Sequence, residues 1–233
     1  MSKRTGYTTY TSTTISLVAA AALSLIGCST PIKGDASIFS GDKSRTLEVR
    51  AKAGGEGLGA FVRERLTTPD YADQSRISHF SLADITYTND NFAALVGTRS
   101  TAKFDVDSIG DEASTGHIDP RAGGIYATKA GDWRFFVNPT VFASFYPRES
   151  SNPQFEINTT VGYAPKLTQD VSLDLEAENV LWMNQDRFKQ ATQRLRGGVS
   201  YKGFRAGVGT DMVETDAQAK PAFNTGLYGG VKF

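Results

Sequence analysis

The sequence predicts an all-β fold: an antiparallel, up-and-down transmembrane β-barrel of twelve strands, with ten as the alternative count. Three observations predict it. From residue 46 onward, segments with alternating apolar and polar side chains follow one another, as strands with two unlike faces require. Short and long connections alternate between these segments, the pattern of a barrel that gathers turns at one end and loops at the other. Aromatic residues bracket several segments on the apolar face.

The segments follow in order. In 46–53, Leu47, Val49 and Ala51 oppose Glu48, Arg50 and Lys52. The run 54–57, rich in glycine, turns the chain into 58–66. Segment 76–87 leads through Asn89 and Asp90 into 92–105, where Phe92, Ala94, Val96, Ala102 and Phe104 oppose Arg99, Lys103 and Asp105. Segment 123–129 pairs through Gly131 with 133–146, the clearest alternation of all. There Trp133, Phe135, Val137, Val141, Ala143 and Phe145 share one face, and Arg134, Asn138, Thr140 and Ser144 the other. Segment 154–163 precedes 170–183, in which Val171, Leu173 and Leu175 oppose Asp174, Glu176 and Glu178. Acidic residues are poor strand formers, so their strict parity marks a half-buried sheet. Segment 187–201 turns at Lys202 and Gly203 into 204–213, and 222–233 ends the chain on Phe233.

Short turns (after 53, 87, 129, 163 and 201) alternate with longer links (67–75, 106–122, 147–153, 184–186, 214–221), and 184–186 fits least well. An even strand count then requires one more strand before residue 46, for which 32–40 is the candidate. Alternation alone does not separate a membrane barrel from a soluble β-protein. Aromatic placement does. Phe92 and Phe104, Trp133 and Phe145, Phe155 and Tyr163, and Phe223 and Phe233 bracket their strands at spans close to the ~9–11 residues a tilted strand needs to cross a bilayer.

The amphipathic last strand with its terminal Phe233 resembles the closing strand of bacterial outer-membrane β-barrels, and the resemblance implies that Phe233 is part of an assembly signal read by the barrel assembly machinery. Lys3 and Arg4 precede an apolar run, 15–27, too short to span a bilayer and suited to a secretory signal. It ends in Leu25, Ile26, Gly27 and Cys28, which resembles the lipobox of bacterial lipoproteins and implies lipidation of Cys28. Ser29 is compatible with outer-membrane sorting. The expected organisation is a lipoprotein-type signal peptide at 1–27, an N-terminal segment at 28–45 holding the possible first strand, and the barrel at 46–233. These resemblances imply the outer membrane of a Gram-negative bacterium, with its lipid as the surrounding partner.

Charge is balanced, with 25 basic and 25 acidic residues, so there is no basic footprint and no nucleic-acid partner is expected. The one Cys excludes an intrachain disulfide. The polar faces would line the lumen. Their most suggestive members are Arg99, Arg134, Asp174, Glu176, Glu178, Arg194, Arg196 and Arg205, an acidic strand beside basic ones. Two readings stand: salt bridges that fill the interior, or opposed ladders selecting small polar or anionic solutes in a narrow pore.

Candidates for chemistry are few. His79 and Ser81 sit two apart on a strand and resemble the His-x-Ser of outer-membrane lipid A deacylases, although Leu82 replaces the usual Asn and the position is early. Their parity points them outward, and the sequence singles out no acid to orient the base. Asp105, Asp107 and Gly110 match part of a calcium loop, but Ile109 and Gly116 fall where ligands matter. Gly197 with Gly198, and Gly207 with Gly209, lack a following helix and are not phosphate loops. The expectation is a barrel without catalytic chemistry, metal or cofactor. Its leading role is a narrow channel, and its alternative is a closed barrel whose loops bind partners. A lipid hydrolase using His79 and Ser81 stands third.

Overall fold

The computed structural model describes residues 32–69, 76–105, 115–143, 153–184, 188–216 and 220–233. They form twelve strands: β1 (Lys33–Gly41), β2 (Ser44–Ala53), β3 (Gly57–Pro69), β4 (Arg76–Asn89), β5 (Phe92–Asp105), β6 (Thr115–Ala130), β7 (Trp133–Phe142), β8 (Gln154–Tyr163), β9 (Val171–Asn184), β10 (Phe188–Tyr201), β11 (Phe204–Thr215) and β12 (Ala222–Lys232). Every neighbour is antiparallel, and β1 pairs with β12, so the sheet closes with no free edge. The fold class is the expected one, and the strand required before residue 46 is β1. Residues 1–27 and Cys28 lie outside the described residues.

Several boundaries differ from the sequence reading, β2, β3 and β4 by two or three residues and three others as follows. β6 begins at Thr115, inside the stretch read as a loop, because Asp119 and Arg121 are inward positions while Ile118, Pro120 and Ala122 take the other parity. Pro120 interrupts the periodicity and lacks a ladder donor, which makes the segment read as irregular. β7 stops at Phe142, and Phe145 lies outside the described residues. β11 runs two residues past Val213.

Four of the five turns at one barrel end are tight, the exception being the link between β8 and β9. Lys202 (φ 46°) and Gly203 (φ 89°) both take positive φ, which a type I′ hairpin turn demands. Both chain ends of the barrel lie at this turn end. Gly34 and Phe233 exchange backbone hydrogen bonds of 2.8 and 2.9 Å, so the last residue is tied to the first strand. At the loop end, Asn224 accepts from the Lys43 backbone N–H (2.8 Å) and donates to Ser44 Oγ (2.7 Å). The seam between β1 and β12 is thus fastened at both ends.

The faces follow the parity. Outward positions carry large exposed apolar side chains on every wall, among them Ile38, Val96, Phe135, Leu195, Val208 and Leu227. Leu58, Tyr87, Phe92, Tyr126, Trp133, Tyr201, Phe204 and Phe233 form an aromatic-rich ring at the turn end. On β12, Phe223 and Phe233 lie about 25 Å apart along the barrel axis at roughly 3.3 Å per residue and a tilt near 40°, the height of a lipid-facing apolar band. Buried charged residues instead point inward, the reverse of a soluble protein.

Candidate functional site

The barrel interior is built from inward positions of all twelve strands, and ion pairs organise it. β3 and β9 stand on opposite walls, with five strands between them on either side. Arg63 of β3 crosses this distance to Glu178 of β9 at 3.3 Å, and also binds Glu48 of β2 at 3.0 Å. Glu178 is further held by Arg194 (2.6 Å) and by the side-chain amide of Asn158 (3.0 Å). Glu48 also pairs with Arg50 and Arg65. One carboxylate–guanidinium chain therefore spans the lumen.

That chain divides the interior into unequal halves. On the side of β4 to β8, Leu82, Asp84, Leu95, Arg121, Asn138, Thr140 and Phe142 are all buried. Arg121 lies 3.3 Å from Asp84, and Arg99 lies 3.0 Å from Glu156. The Arg99 guanidinium also sits 4.6 Å from the Phe142 ring centre and 5.1 Å from that of Trp182, in cation–π range. This half is packed.

The other half, walled by β9 to β12 and β1 to β3, holds a cavity of about 260 Å³. Its wall carries arginines 50, 65, 194, 196 and 205 against Asp35, Glu48, Asp174, Glu176, Glu178 and Asp211. Arg205 bridges Asp35 (3.1 Å) and Asp174 (3.5 Å), and Asp174 also binds Arg134 (3.1 Å). Arg196 pairs with Asp211 and lies 4.1 Å from the Phe39 ring centre. Glycines make room along this wall. A side chain at Gly207 would meet the Tyr228 ring, which fills the lumen there.

All eight lumen residues expected from the sequence hold inward positions, with Arg99 on the packed side and Arg194, Arg196 and Arg205 around the cavity. Each of the five arginines among them is ion-paired, so the ladders face one another as bridges rather than as free charge. The side chains of Lys103 and Asp105, and the loop holding Asp107 and Gly110, lie outside the described residues. Sequence reading missed Arg63, Arg65, Asp84 and Arg121. Parity marks the first two, because they alternate with outward Val62, Glu64 and Leu66.

One polar group faces the other way. Arg65 and Arg99 flank the Phe80 ring inside the barrel, which turns His79 and Ser81 to the outside. Glu64 is outward on β3 and stands opposite Ser81 in the ladder. Ser81 Oγ donates to Glu64 Oε1 at 2.6 Å, and His79 Nε2 lies 2.7 Å from Glu64 Oε2.

A scan of protein-family models finds no match for the chain, and a search of curated proteins finds none. Among solved structures the chain is similar to the KdgM porin, at 12% identity over 86% of this chain and 98% of that one, with a TM-score of 0.47. It is also similar to the β domain of the Bordetella autotransporter BrkA (8% identity, 88% and 98% covered, TM-score 0.45). A third is the COG4313 outer membrane channel from Pseudomonas putida F1 (10% identity, 87% and 93% covered, TM-score 0.45).

Proposed function

We propose that this chain is an outer-membrane barrel that passes small polar solutes through a narrow, off-centre lumen. The observation that carries the reading is the division of the interior by Arg63 and Glu178, with a charged cavity on one side only. A pore that offers alternating guanidinium and carboxylate groups replaces part of a polar solute's hydration shell at low cost. Because arginines and carboxylates nearly balance around the cavity, the favoured solutes are neutral or zwitterionic, and the anion preference of the arginine ladder is weak. Several lumen arginines, including Arg134 and Arg205, keep a buried Nε donor without a protein acceptor, which leaves donor capacity inside the barrel.

On this reading the turn end faces the periplasm, Phe233 acts in assembly, and Cys28 carries lipid. The test is single-channel conductance of the refolded protein in a planar bilayer. Small, weakly selective steps are expected, and their absence refutes passage. The bridge across the lumen favours a second reading, a closed barrel whose loops contact partners. Zero conductance in both wild type and Arg63→Ala supports that one.

A further inference from the structure

Outward positions on β3 to β5 are otherwise apolar through most of their length: Leu58, Ala60, Val62, Ala83, Ile85, Tyr87, Ala94 and Val96. Glu64, His79 and Ser81, with Thr98 and Ser100 of β5 beside them, interrupt this wall. At roughly 3.3 Å per residue and a tilt near 40°, Ser81 lies ~15 Å and His79 ~20 Å along the barrel axis from Tyr87, within a band about 25 Å tall. The cluster therefore sits in the upper part of the lipid-facing surface, toward the loop end. Ionisable side chains facing lipid are expensive and mark function by default. The sequence offered a nucleophile and a base without an acid. The fold supplies Glu64 from the neighbouring strand.

We propose that Glu64, His79 and Ser81 form an esterase site on the membrane-facing wall, acting on ester-linked acyl chains of the surrounding lipid. The proposal rests on the reading that this wall faces lipid, and not on the lumen being open. The hydrogen bonds assign the roles. The Glu64 carboxylate already accepts the Ser81 hydroxyl proton's hydrogen bond, so Glu64 is the base. His79 holds the other carboxylate oxygen and is a positioning residue.

Ser81 Oγ adds to the ester carbonyl carbon while its proton passes to Glu64. Collapse breaks the bond to the lipid's alcohol oxygen, which leaves with that proton. Water then adds to the acyl-serine and gives a proton to Glu64. The second collapse frees the fatty acid and returns the proton to Ser81, so the sum is ester plus water to acid plus alcohol. Ser81 is 1% exposed, covered by its partners, and the Glu64 side chain is 37% exposed. A rotation of that freer carboxylate, with its hydrogen bond to the Ser81 hydroxyl kept, opens the approach for the ester.

The test uses the folded, detergent-purified barrel with a lipophilic fluorophosphonate, and separately with phosphatidylethanolamine vesicles and lipid A micelles. Expected is a covalent adduct that peptide mapping places on Ser81, with fatty acid released from one of the two lipids, which names the source of the ester. Ser81→Ala abolishes both signals, and Glu64→Gln lowers both by about 100-fold or more, the scale of a lost general base. His79→Gln, which keeps a donor to Glu64, retains more activity than His79→Ala. Heat-modifiable gel migration checks that each variant is folded, and the mapped wild-type adduct stands even if a variant fails that check. No adduct on Ser81 in the folded wild type, or no release from either lipid, overturns the proposal whatever the conductance.

Discussion

Replacing Arg63 by alanine removes the side chain whose ion pairs join the opposite walls β3 and β9 of the lumen. Its Nη2 binds Glu48 at 3.0 and 3.2 Å, and both terminal nitrogens reach Glu178 at 3.3 Å. Breaking a buried ion pair typically costs about 3–5 kcal/mol, because a desolvated charge is left without its partner. Here the carboxylates are not orphaned. Glu48 keeps Arg50 and Arg65, and Glu178 keeps Arg194 and Asn158. The expected loss is therefore below that range, about 2–3 kcal/mol, and is read from the urea midpoint of folded-band migration in detergent. The same change removes the only crossing of the lumen among the described residues' ion pairs, so conductance rises relative to wild type. Since a cation is lost beside Glu48 and Glu178, selectivity shifts toward cations. A variant that is as stable as wild type and conducts no better refutes both the bridge and its role as constriction.

Other outcomes follow from the same geometry. Leu227→Arg places a charge near mid-height on the apolar wall and costs about 2–4 kcal/mol in lipid; no change in the stability of the vesicle-reconstituted barrel contradicts lipid exposure there. Asn224→Ala loses the two polar contacts that fasten the β1–β2 link to β12, for about 1–3 kcal/mol, and a hydrogen-exchange map is expected to show the seam opening first. Deletion of Phe233 removes the backbone exchange with Gly34 and lowers the yield of folded barrel in the membrane fraction; an unchanged yield denies it a part in assembly. A double-mutant cycle of Arg63→Ala with Glu178→Gln is expected to show coupling of about 0.5–3 kcal/mol, and additivity refutes direct contact.

Much of the fold was legible because period-two alternation survives wherever one side of a strand is apolar and the other lines the barrel interior. The acidic run of β9 kept its parity against poor strand propensity, and Phe92–Asp105 and Gln154–Tyr163 were bounded as read. β6 was half missed because Pro120 and two inward charges mask a pattern that exists only once β5 and β7 are in place. The lumen residues were legible as a face but not as partners. Arg63 and Glu178 are 115 positions apart and meet only because twelve strands bring β3 opposite β9. The outward cluster failed at the same step. His79 and Ser81 share a strand, whereas the register of β3 against β4 is what delivers Glu64.

The central claim is that apolar side chains face lipid while charged ones face the lumen, and the chain's two tryptophans test it from both sides. Trp133 is 46% exposed on the outer wall. Trp182 points inward, within 5.1 Å of the Arg99 guanidinium. Each single-tryptophan variant, Trp182→Phe and Trp133→Phe, is reconstituted into vesicles with brominated acyl chains. Strong quenching of Trp133 with Trp182 spared is the predicted result; equal quenching of the two, or none of Trp133, contradicts the account.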